Sequence, residues 1–169
     1  MGWKMYEENF KNIINILDKE IKLYTEMRNL YTEKREILVK NNILELSQVD
    51  AKIIENYETI KKIDAQRIEE IKTLGDDIPN MSELISRAKE LCPKYSLKLL
   101  EQQEALNSIS SAISLLNLTN MKLIKHGMIL TDKKLNIIIE ACAPKGNSYT
   151  ENGKEETNTL EMSTIVRDA

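Results

Sequence analysis

The sequence predicts an all-α fold: an elongated antiparallel helical hairpin or bundle of three long helices plus one short helix, coiled-coil-like, with a flexible C-terminal tail. Three observations predict it. Apolar residues recur at heptad spacing, glycine and proline gather at a few junctions, and aromatic residues make up only 5% of a chain that is 30% charged and 41% hydrophobic. That balance suits long solvated helices better than a sheet core rich in β-branched and aromatic pairs. A length of 169 residues fits one helical domain over 1–143, with helices at about 5–40, 43–74, 81–91 and 93–142, and a tail over 144–169.

The first helix contains no Gly or Pro between Met5 and Lys40. Apolar pairs recur seven residues apart: Ile16-Leu17, Leu23-Tyr24, Leu30-Tyr31 and Ile37-Leu38. A repeat of that period draws one stripe along an α-helix and favours coiled-coil packing. Two adjacent apolar positions per heptad make the stripe wide enough to touch more than one neighbour. The doubled tetrapeptide LYTE, at Leu23 and Leu30, is two turns of this one stripe rather than a catalytic motif or a duplicated module.

The run stops at Asn41-Asn42. Asn42 is an N-cap candidate and Glu45 follows three residues later, the spacing of a capping box. Leu46, Val49, Ile53, Tyr57, Ile60, Ile63, Ile68 and Ile71 then keep helical spacing. So short a connection between two long amphipathic helices implies an antiparallel hairpin. Gly75 and Pro79 end the second helix, as a C-terminal glycine with a proline beyond it does. Asn80 or Ser82 caps a short helix to about Leu91, and Pro93 suits the first turn of the last helix. That helix carries Leu99, Leu106, Ile109, Ile113, Leu116, Leu123 and Leu130, with Gly127 as its expected bend. Beyond Pro144 helical periodicity is lost, and Asn152-Gly153 is a turn signal that could close a small hairpin.

The composition excludes several kinds of chemistry. A net charge of −3 with Lys and Glu interleaved offers no clustered basic surface for nucleic acid. No stretch approaches the ~18–20 uninterrupted apolar residues of a membrane span, so no direct membrane insertion is expected. The acidic start MGWKMYEENF does not read as a signal peptide, which points to a cytoplasmic protein with Cys92 and Cys142 reduced. His126 is the single histidine and stands alone on a helix, away from either cysteine. Neither a catalytic triad nor a metal-binding Glu-x-x-His pair can be assembled around it. The glycines are scattered and form no phosphate cradle. The expectation is a protein that is not an enzyme and uses no cofactor or metal.

One window stands apart. From Ala105 to Met121, ALNSISSAISLLNLTNM, no residue is charged. Either this part of the long helix is central and enclosed by the hairpin, or it is a groove for a partner's amphipathic helix. In the second case Leu106, Ile109, Ile113, Leu116 and Leu123 are the anchors.

Three features resemble the FlgN-type flagellar export chaperones. One is the segment LYTEKREILVKNNILELSQVDAKIIE, a Leu- and Glu-rich helix, a capped turn and a second helix; the family's frequent Gly-Asp turn is Asn41-Asn42 here. Another is a short helix ending near Leu91-Cys92-Pro93 before a long C-terminal helix. The third is the tail element Tyr149-Thr150-Glu151-Asn152-Gly153. The resemblance implies a cytosolic chaperone of hook–filament junction proteins, also called hook-associated proteins, that binds their C-terminal helical segment and delivers them to the export gate. It implies a client-binding region toward the C-terminus, where the uncharged window lies. It also implies docking on the cytosolic domain of the flagellar export gate, for which Tyr149 is the matching residue. The contrasting expectation is a structural coiled coil or self-associating bundle with no dedicated client.

Overall fold

A computed structural model describes residues 2–75, 78–143, 148–149 and 155–156, with side chains described for 6–75 and 78–143. It is an all-α helical bundle. In chain order come α1 (Gly2–Lys40), α2 (Ile43–Lys72), α3 (Met81–Leu91), a short 3-10 turn (Pro93–Tyr95) and α4 (Ser96–Cys142). Two short strands follow, β1 (Ser148–Tyr149) and β2 (Glu155–Glu156). The chain divides into two compact units, Met1–His126 and Gly127–Ala169.

In the first unit α1 and α2 form an antiparallel hairpin. Ion pairs Lys34–Asp50 (2.7 Å) and Arg67–Glu20 (2.9 Å) and the bond from Asn12 Nδ2 to Glu70 Oε1 (3.1 Å) step down α1 as they climb α2. The connection is only Asn41-Asn42, and both residues have a conformational task. Asn41 adopts φ +55, the left-handed region open to few residues besides Gly and Asn. Its N–H donates to Leu38 O, and that of Asn42 donates to Ile37 O, each at 3.2 Å. This pair of bonds closes the end of α1 in a Schellman motif. Asn42 then caps α2, its side chain accepting from Glu45 N at 3.4 Å. One dipeptide thus ends one helix and starts the next.

Asn80 repeats the capping at α3, accepting from Glu83 N at 2.9 Å. Gly75, at φ +136, takes the chain out of α2 where a side chain would be strained. Pro93 does not open the long helix directly. It starts the 3-10 turn, and α4 begins at Ser96. Gly127, expected as a bend, lies in uninterrupted α-helix, and Thr131 Oγ1 donates to its carbonyl at 3.0 Å.

The main core gathers Phe10, Ile13 and Leu17 of α1, Leu74, Leu84 and Ile85 of the α3 region, and Leu99 of α4. A second cluster, Leu30 and Ile37 against Val49, closes the hairpin toward its tip. Full burial of each such side chain stabilises the fold by about 1.5–3 kcal/mol. Within this unit α4 runs parallel to α1: Gln102 Nε2 donates to Ile14 O (3.0 Å) and Asp18 Oδ1 (2.8 Å), and Asn120 Nδ2 donates to Tyr31 O (3.0 Å).

In the second unit the end of α4 is helical to Cys142. β1 and β2 pair antiparallel, Ser148 with Glu156 and Tyr149 with Glu155. The Asn152-Gly153 turn and the rest of the expected tail lie outside the described residues.

Candidate interaction surface

Reactive side chains are dispersed over the helices. His126 and Cys142 are exposed on α4, whereas Cys92 is buried in the main core, where burial pushes its thiol up. Among the described residues no three His, Cys, Asp or Glu side chains come together as a metal site. Also among them, no helix is long and apolar enough to cross a membrane.

Polar chemistry in the first unit serves instead to join helices. Glu20 is 3% exposed on the inner side of α1 and pairs with Arg67, which also holds Asp64 one turn earlier on α2. Burial pushes the Glu20 carboxyl above its ordinary value, against the opposing pull of Arg67. Burial and the nearby Glu20 carboxylate likewise push the Tyr24 hydroxyl up. Three amide oxygens, Asn56 Oδ1, Gln102 Oε1 and Asn120 Oδ1, are buried without a hydrogen-bond partner. A buried unpaired amide oxygen costs about 1–3 kcal/mol, so these residues do not sit inside for stability alone. None of them stood out in the sequence, where a polar residue on a charged helix reads as solvent-facing. The available signal was position: each falls on the apolar spacing of its own helix.

The residues anticipated as anchors lie on the packed side of α4. Ile109 is 9% exposed and Leu106 packs against the main core. Ile113, Leu116 and Leu123 are half-buried. In the same uncharged window the opposite side is open, with Leu115 66% exposed and Leu118 and Met121 also over half exposed. The window is therefore packed along one face and open along the other.

A longer run of open apolar residues lies further on. Every residue from 127 to 143 is exposed. Among them are Met128, Ile129, Leu130, Leu135, Ile137, Ile138 and Ile139, with Ile137 at 64%. A helix apolar on most of its circumference is normally buried. Contiguous apolar surface left open on this scale marks an interaction site. Such a helical face binds another helix by inserting side chains at i, i+3, i+4 and i+7. The side chain of Tyr149 lies outside the described residues; its backbone belongs to β1.

The family model described as FlgN protein matches residues 1–157. No curated protein and no solved structure matches the chain.

Proposed function

Because the chain belongs to the FlgN family, a family of flagellar chaperones that bind hook-associated proteins, we propose that it takes up hook–filament junction proteins in the cytoplasm by their C-terminal helical segment and delivers them to the export gate. The observation that supports this reading is the open apolar end of α4. Met128, Leu130, Leu135, Ile137 and Ile138 offer helix-spaced side chains to a client helix, and all are exposed. Covering them removes apolar area from water in both partners, and this is the driving force of capture. Leu106 and Ile109, already packed in the first unit, contribute to the fold rather than to the client. The reaction is reversible binding without chemistry. Tyr149 is the proposed contact to the cytosolic domain of the export gate, on the strength of its position in the family's tail element.

Titration of purified chain with C-terminal peptides of hook-associated proteins tests the reading. Ile137→Asp is expected to weaken binding at least ten-fold while far-UV helicity stays unchanged, since the side chain is exposed. Tyr149→Ala is expected to reduce binding to the gate domain and leave client affinity intact. Wild-type chain that binds none of these peptides, or that buries its apolar surface in a stable homodimer by light scattering, overturns the proposal in favour of a self-associating bundle.

A further inference from the structure

The seam of α4 follows an unbroken alternation of three and four residues. One row of positions, seven apart, runs from Leu99 through Ile113 and Asn120 to Gly127 and Lys134; the other runs from Gln102 through Ile109 and Leu123 to Leu130 and Ile137. This is the a/d pattern of a coiled coil. As far as Leu123 every one of these positions is buried or half-buried. Gly127, Leu130, Lys134 and Ile137 keep the same spacing but are exposed. The last two heptads have the pattern of a packed seam without its partner.

Two residues in that open seam are not ordinary core residues. Gly127 brings no side chain to the seam, and nothing lies within 4 Å of where a Cβ would stand, so a client side chain can come close to the backbone there. Lys134 stands where apolar side chains stand earlier in the row, in line with Leu99, Leu106 and Ile113. A lysine at such a position is tolerated at a cost and dictates register and partner. Its ammonium loses water when the seam closes, and an opposing carboxylate offsets that loss. The surrounding charge agrees: between 122 and 142 four lysines stand against only Asp132 and Glu140, in a chain of net charge −3.

We propose that Lys134 is a specificity-determining residue. The client helix that completes this seam presents an Asp or Glu opposite Lys134 and a bulky apolar side chain close against Gly127. The inference rests on the client-binding reading above and names the chemistry of the partner. It also disfavours a second copy paired parallel and in register, because that would set Lys134 against its own counterpart.

The test is a set of coupled substitutions, read by calorimetry on the full chain. The probes are C-terminal peptides of hook-associated proteins in which each Asp or Glu is exchanged in turn for Asn or Gln. For wild type, one exchange is expected to weaken binding five- to ten-fold. For Lys134→Met the same exchange should have no effect. Lys134→Glu should weaken the unmodified peptide at least ten-fold, and Gly127→Leu should weaken it by blocking the approach to the backbone. If Leu130→Asp abolishes binding while no peptide exchange couples to Lys134, the inference fails and the client site stands. If the wild type binds no peptide, or dimerises through this seam, both fail.

Discussion

Replacing Asn120 by Leu is expected to stabilise the protein. Leu has the heavy-atom count and branching of Asn with a bulkier, tetrahedral tip, so crowding draws the gain toward the lower end of its range. Asn120 is 1% exposed, and its amide makes one hydrogen bond, Nδ2 to Tyr31 O at 3.0 Å. Losing that bond costs about 0.5–1.5 kcal/mol. The acceptor lies within α1 and keeps its place in the helical ladder, so no carbonyl is orphaned. Against the loss stand two gains. The unpartnered Oδ1 disappears, recovering about 1–3 kcal/mol, and burying two methyl groups adds about 0.8 kcal/mol each. The net is a stabilisation of about 1–4 kcal/mol. Urea denaturation followed by circular dichroism reads it: with m near 2 kcal/mol/M the midpoint rises by about 0.5–2 M. A fall in the midpoint at unchanged m would refute the reasoning and show that the amide is a net stabilising contact. A gain would mean that Asn120 holds α4 in one register at the expense of stability, as single polar residues do in coiled-coil seams.

Other outcomes follow from the same geometry. Asn41→Gly should raise stability by about 0.5–1 kcal/mol and Asn41→Val should lower it by about 1–2, because only the left-handed conformation closes α1; thermal melts distinguish them. Glu20→Leu should cost about 2–4 kcal/mol by leaving Arg67 half-buried with Asp64 alone, whereas Glu20→Leu with Arg67→Leu should be near neutral, a non-additivity that a double-mutant cycle measures. The upward displacement of the Glu20 carboxyl also has a sign in pH. The folded state binds that proton more tightly than the unfolded chain. Stability from this group therefore rises as pH falls from the folded value to the ordinary carboxylate value, and Glu20→Gln should flatten that part of the profile in pH-dependent denaturation.

Much of the fold was legible because its signals are local. The caps at Asn42 and Asn80, the glycine exit at Gly75 and the heptads of α1 each depend on a few neighbouring residues. The left-handed Asn41 was missed because the end of a heptad run shows where a helix stops but not the conformation of the residue that stops it. The 3-10 turn at Pro93–Tyr95 was missed because a first-turn proline fits either helix type. At the interaction surface the difficulty is of another kind. Leu106 through Leu123 and Leu130 through Ile137 carry the same spacing, and periodicity alone cannot tell which heptads already have a partner. The absence of charge between Ala105 and Met121 drew attention to heptads that α4 uses for folding. Ile137-Ile138-Ile139 covers more of the helix circumference than one neighbouring helix encloses.

The two-residue turn and the parallel run of α4 have a consequence for the order of folding. The α1–α2 hairpin closes through contacts that begin a few residues apart, and it can form as soon as residue 75 is available. The hydrogen bonds from Gln102 and Asn120 that fasten α4 to α1 instead span 84–89 residues. Closing so long a loop is slower, and all three of these bonds come from two amides, Gln102 and Asn120, that each also bury an unpaired oxygen. On a ribosome the hairpin would be finished before its last helix is made. On the same grounds amide exchange should report α4 opening from α1 while α1 and α2 remain protected.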